Sequence, residues 1–165
     1  MATVPLYGKH SAGRSVRVDE ADLPLVEPYR WLVQVNTKPR PSGPYAITWV
    51  RNADGTRSHV YMHDLIMGTA GVDHRDRDGL NNCRCNLRVA SQSQNGANTL
   101  PRVGTSRYKG VSWDRKMGCW RAQITVRRKM RYLGLFGSEE DAARAYDEAA
   151  LETWGEYARL NLPGG

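Results

Sequence analysis

Hydrophobic and polar residues alternate over short stretches along most of this chain, and one late stretch switches to a helical period. Residues 15–18 (SVRV), 31–35 (WLVQV) and 45–50 (YAITWV) alternate as half-buried strands do. Ala53, Asp54, Gly55 and Thr56 supply a hairpin turn, after which residues 58–62 return as the paired strand. Residues 22–27 predict a short helical turn broken by Pro24, residues 63–67 (HDLIM) a helix ended by Gly68, and residues 37–44 (TKPRPSGP) a loop. A short helix is expected over 88–97. Residues 108–113, 120–126 and 130–134 read as three more strands. The clearest helix spans 138–154: Ser138 is a good N-cap, Asp141 stands at the capping-box spacing, and Glu139, Glu140 and Asp141 suit the positive end of the helix dipole. Gly155 fits its C-terminal stop. Ala142, Ala145, Tyr146, Ala149 and Thr153 recur on one helix face.

These elements predict an α+β chain of two modules. Its 165 residues suit one ordinary domain or two small ones. Residues 96–104 (GANTLPRVG) have the composition of a linker. The expected division is a first module over 1–98, a linker over 99–105 and a second module over 106–165. Small domains are marginal and lean on aromatic packing, for which five Trp and eight Tyr are available.

Charge sharpens the picture. The formal net charge is +7, which suits a polyanionic partner. Residues 105–137 hold nine basic residues and one acidic residue, Asp114, whereas residues 138–165 hold two basic and seven acidic ones. The positive charge is therefore gathered in one segment, as a phosphate-binding face requires. Three cysteines, Cys83, Cys85 and Cys119, do not form a disulfide framework. A single C-x-C lacks the four ligands of a structural zinc site, so no structural zinc is expected. No apolar run reaches membrane-spanning length, and the first residues lack the apolar core of a signal peptide. A cytoplasmic location is expected, with no membrane partner.

From Val72 polar residues dominate: VDHRDRDGLNNCRCNLRVASQSQNGAN. Histidine is the usual base near neutral pH, and carboxylate and amide oxygens suit a hard divalent cation. On a strand, the adjacent Asp73 and His74 point to opposite faces, so a twist or bulge is needed to bring both to one site. This segment resembles an HNH nuclease motif of the phage and intron-encoded homing-endonuclease type. The matching pieces are VDH at 72–74, Asn86 with Leu87, and Gln94 with Asn95; the upstream YMHDLIMG resembles the segment that precedes this motif in many members. The resemblance covers 14–98 and implies a ββα-metal fold around one divalent ion, Mg2+ or Mn2+. It implies His74 as general base, Asp73 and Asn95 as metal ligands, Asn86 as a brace for the loop that orients His74, and His63 as a secondary candidate. Asp64 stands where members often carry arginine.

The second module places its basic and aromatic residues on three short strands. Alternation puts Trp120, Ala122, Ile124 and Val126 toward the helix, and Arg121, Gln123, Thr125 and Arg127 on the opposite, exposed side. Leu133 is expected to face the helix, with Met130 and Tyr132 outward. YKGV at 108–111, Trp120 to Ala122, YLGLF at 132–136, AARAYDEAA at 142–150 and LNLP at 160–163 resemble the ethylene-response-factor or APETALA-type DNA-binding domain. That resemblance implies a three-stranded antiparallel sheet packed on one helix, with Arg115, Gln123, Thr125 and Tyr132 where contacts to double-stranded DNA occur. Ser112 and Thr125 replace arginines common in the plant domains, so a different base preference is expected. Together the two resemblances imply a metal-dependent DNA endonuclease, a monomer targeted by its C-terminal sheet and, if phage-encoded, acting in a bacterial host cell. The alternative is a non-catalytic, sequence-specific DNA-binding regulator with a decayed nuclease module.

Overall fold

In the computed structural model, described for residues 1–36, 42–99 and 104–162, the alternating stretches fold around three apolar clusters, one in the first unit and two in the second. Part of the expected 37–44 loop, part of the 99–105 linker and Pro163 lie outside the described residues. The chain forms two compact units, Met1–Ala90 and Ser91–Gly165. This boundary groups residues 91–98 with the second unit, whereas the sequence pattern groups them with the first.

In the first unit, β1 (Ala2–Pro5) and β2 (Ser15–Val18) form an antiparallel ribbon, with Val4 opposite Val16. Strands β3 (Leu32–Asn36), β4 (Ser42–Arg51) and β5 (Arg57–Tyr61) form an antiparallel sheet with β4 in the middle. Two short helices, α1 (Leu23–Val26) and α2 (Met62–Met67), supply further core residues. Gly68 closes α2 in the left-handed conformation, φ 67°, which glycine adopts without steric cost. Val16, Val18, Val26, Trp31 and Met62 are fully buried. The Trp31 indole N–H donates to the Val26 carbonyl at 2.8 Å, so this buried donor is paired. A second ribbon pairs β6 (Val72–His74) with β7 (Leu87–Val89). Strand β7 occupies the start of the segment expected to be helical. The helix begins only at α3 (Gln92–Ala97), where Ser91 and Gln94 form a reciprocal capping box.

The second unit carries β8 (Val111–Asp114), β9 (Cys119–Val126) and β10 (Lys129–Phe136) in an antiparallel sheet with β9 central, followed by α4 (Glu139–Trp154). Ala122 and Ile124 of β9 are buried against Ala142, Ala143, Tyr146, Ala149 and Ala150 of α4. Ser138 caps α4, its hydroxyl accepting from the Asp141 N–H at 3.0 Å. Strand β8 starts at Val111 and not at residue 108, because Gly110 turns the chain at φ 76°. The helix also pins the C-terminal segment: the buried Asp147 carboxylate accepts from the backbone N–H groups of Asn161 (2.8 Å) and Leu162 (2.9 Å). Asn161 in turn accepts from the Lys109 N–H at 2.7 Å and donates to the Lys109 carbonyl at 3.1 Å. The conspicuous YKG, YDEAA and LN fragments are thus parts of one clamp.

Gly110 combines a positive φ with a position where a Cβ would overlap the Tyr146 ring. Gly110→Ala is expected to destabilise the second unit by about 3 kcal/mol, at the upper end of ordinary single-substitution effects. Urea denaturation of the full chain followed by helical circular dichroism, dominated by α4, checks it; an unchanged midpoint refutes the clamp.

Candidate nucleic-acid interface

Because β9 buries every second side chain under α4, the intervening ones face outward. Arg121 and Gln123 are half-buried on this outer face and Thr125 is exposed. Their cross-strand partners continue it: Arg121 pairs with Ser112 of β8 and Leu135 of β10, Gln123 with Tyr132, and Thr125 with Met130. Tyr132 and Met130 are exposed, as expected. The Arg121 Nη1 lies 3.8 Å from the Asp114 carboxylate. The Arg121 Nε and the Ser112 hydroxyl are buried without a hydrogen-bond partner among the described residues.

Arginines cap both ends of this face. Arg115 is exposed in the turn between β8 and β9, which Asp114 stabilises by accepting from the Lys116 N–H at 3.0 Å. Arg127 is not part of the strand. With Val126 paired to Lys129, Arg127 and Arg128 form a two-residue hairpin tip, both at positive φ (49° and 66°). Such tips match the right-handed twist of the strands but usually hold Asn or Gly. Two arginines here carry a conformational cost and present two adjacent cations at the tip of the sheet. Arg128 at the hairpin tip, with Met130 and Leu135 on the outer face, were not singled out in the sequence as DNA-contacting. The acidic side chains of α4 lie on the other side of the sheet, where Glu152 pairs with Arg131 at 3.2 Å.

The first unit arranges the histidine-centred residues differently from the expected site. The β6–β7 pairing is regular, with Asp73 opposite Arg88 and His74 opposite Leu87, and no bulge turns Asp73 and His74 to one side. Asp73 is buried, and its Oδ2 accepts from Arg88 Nε at 3.0 Å and Nη2 at 2.8 Å. The carboxylate expected to bind metal is therefore engaged by a buried guanidinium, a partner that the 72–98 motif gave no reason to choose. His74 Nε2 lies 3.3 Å from Asn82 Oδ1. Asn86 donates to Asp76 Oδ1 and to the Asn81 carbonyl, both at 2.8 Å, and its own Oδ1 accepts from the Asp76 N–H, tying the loop between β6 and β7 together. Asn95 is exposed on α3, in the second unit. Among the described residues, no three His, Cys, Asp or Glu side chains gather where a metal ion could be held.

His63 is buried in α2, its ring stacked on Tyr61 and edge-on to His74 at 4.9 Å between centroids. Burial, and next the neighbouring His74, push its imidazole down to about 3. It is neutral at pH 7, so its 3.7 Å approach to Asp64 is no ion pair. Burial lowers His74 as well, against the opposing pull of Asn82, Asp76, Asp73 and Asp78.

Comparison with known proteins bears on the second unit. Residues 106–156 match the AP2 domain family. An AP2-like ethylene-responsive transcription factor of Arabidopsis thaliana is 44% identical over 59 residues, covering 36% of this chain and 19% of that protein. An AP2/ERF and B3 domain-containing protein of Oryza sativa subsp. japonica is 52% identical over 60 residues, 36% of this chain and 16% of that protein. An APETALA2-like protein 2 of Oryza sativa subsp. indica is 40% identical over 74 residues, 45% of this chain and 16% of that protein. The chain thus spans a fifth or less of the length of these curated relatives. These findings correct the endonuclease reading. The matched family is the AP2 domain and relatives are named transcription factors, with nothing in the matches that supports a nuclease, so the homing-endonuclease, hydrolase and phage assignments are withdrawn. These relatives are plant proteins, which gives no support to a bacterial host. Among the described residues no helix is long and apolar enough to cross a membrane.

Two outcomes follow from the first unit's geometry. Arg88→Ala leaves a buried carboxylate without its guanidinium and is expected to cost about 3–5 kcal/mol, whereas Asp73→Leu combined with Arg88→Met restores most of that stability. Urea denaturation midpoints of the two variants compare them. For His63 the folded pKa lies below the unfolded value near 6.5, so the unfolded chain binds more protons as pH falls. The stability contributed by the neutral ring is whole above about pH 6.5 and is lost progressively toward about pH 3, at no more than about 1.4 kcal/mol per pH unit. The melting temperature should drop on acidification through this window, and His63→Gln should flatten the drop. An equal slope in both proteins would count against burial of a neutral imidazole.

Proposed function

We propose that this chain is a sequence-specific, duplex-DNA-binding regulator whose C-terminal unit lays the outer face of β8–β10 in the major groove. One observation carries the reading: in the segment similar to AP2 domains, strand β9 turns Arg121, Gln123 and Thr125 outward between two arginine-bearing turns. A β-sheet of this width can be admitted by the major groove, where arginine reads guanine O6 and N7 and glutamine reads adenine N6 and N7. Arg121, Gln123, Thr125 and Tyr132 are the proposed base-facing residues. Arg115, Arg127 and Arg128 hold phosphates, fixing register without reading sequence. Residues 106–165 form the DNA-binding domain in this proposal and act as a monomer, one sheet to one site. The relatives named transcription factors support a regulatory outcome.

Selection of duplexes from a random pool by the full chain, followed by anisotropy titrations over a range of salt, tests the proposal. Enrichment of a defined element supports it. Arg127→Ala with Arg128→Ala should weaken binding to all duplexes alike and make the dependence of log K on log salt shallower by about 0.9 for each phosphate no longer neutralised. Gln123→Ala should relax preference at one position and leave the salt slope as it was. A pool that yields no element overturns the reading.

A further inference from the structure

We infer that the outer face of β8–β10 selects its element through thymine C5-methyl groups, with Met130, Tyr132 and Leu135 as the methyl-reading side chains. The inference rests on the DNA-binding reading above and specifies the base chemistry of that same face.

The face is unusually apolar for a surface that meets a polyanion. Met130 is 68% exposed, Tyr132 59% and Leu135 38%. They stand in one row on β10, each beside a polar residue of β9: Met130 opposite Thr125, Tyr132 opposite Gln123, and Leu135 opposite Arg121. Strict alternation would not allow this row, because residues 132 and 135 are three apart and belong on opposite sides. The register shift between Tyr132 and Gly134 absorbs one residue, sends Leu133 to the helix side and returns Leu135 to the outer face. Gly134, at φ 140°, permits the bulge. Bulges beside binding faces re-aim side chains, and this one completes an apolar row.

An exposed apolar row of this kind marks a contact surface. Its electrostatic surroundings decide the occupant. Arg115 and Lys116 lie at one end of the face, and Arg127, Arg128 and Lys129 at the other. A second copy of the same face would bring these cations together, whereas a duplex supplies phosphates to both ends. Within the major groove only thymine offers an apolar group, its C5-methyl. The Gln123–Tyr132 cross-strand pair then suits a single A·T pair: Gln123 meets adenine N6 and N7, and Tyr132 or Met130 covers the methyl on the partner base. Arg121, steered by Asp114 at 3.8 Å, is the one arginine among these β9 readers and is left to read guanine. The element expected is rich in A·T pairs around one G·C pair.

Replacing thymine by uracil in the selected element removes only the methyl and tests this directly. Each buried methyl is expected to contribute about a fourfold change in affinity, the effect of taking one methylene-sized group out of water. Met130→Ala and Tyr132→Ala, both at exposed positions, should weaken binding to the thymine duplex and lose less affinity on uracil replacement than the unmodified chain does; a thymine-to-uracil ratio unchanged in both variants counts against these two side chains as the methyl readers. An element of G·C pairs only, or thymines replaceable by uracil without loss in the unmodified chain, overturns the inference while leaving the DNA-binding reading intact. Failure to enrich any duplex removes both.

Discussion

The second unit depends on the close approach of α4 to β9. Ala142, Ala143, Ala149 and Ala150 have no side chain beyond Cβ, so the helix lies near enough to bury Ala122 and Ile124 completely. Once those two residues are committed, the pleat leaves no choice for Arg121, Gln123 and Thr125, which must face away. Slipping β9 by one residue would drive an arginine into the alanine face and expose isoleucine. The interface is therefore a consequence of core packing. The Asp147–Asn161–Lys109 clamp reinforces it by tying both the approach to β8 and the C-terminal segment to the same helix.

The first unit is governed by buried polarity. An ion pair between Asp73 and Arg88 and two low-pKa histidines sit within a unit whose apolar core is rich in valines around Trp31 and Met62. Buried charge is tolerated there because each Asp73–Arg88 partner answers the other, and the buried His63 imidazole because it stays neutral. Such polar interiors occur at catalytic sites and equally in structural networks. Residue types alone cannot separate the two cases, which is how a motif of correct spacing led to an enzymatic reading that the comparisons do not support.

Most elements were legible from local pattern. Strands β2, β3, β4, β5, β9 and β10, helix α2 with its Gly68 stop, and α4 with its Ser138 cap all follow from period and punctuation. Strand β7 was not legible, because Leu87–Val89 is a three-residue strand justified only by pairing with β6. The early start expected for β8 failed at Gly110, where close packing of Tyr146 imposes the turn. The short β1 was missed in a stretch that carries no alternation of its own beyond its pairing with β2.

By itself the sequence determined the period of each element, the segregation of positive charge into residues 105–137, and which side of β9 faces outward, since all three depend on near neighbours along the chain. Tertiary structure alone decided that Asp73 answers Arg88, that Arg127 leaves the strand for a hairpin tip, and that Leu135 joins Tyr132 on the reading face. Each of those outcomes turns on cross-strand register. Register is set by long-range packing and by single-residue irregularities, and neither leaves a mark in the local hydrophobic period.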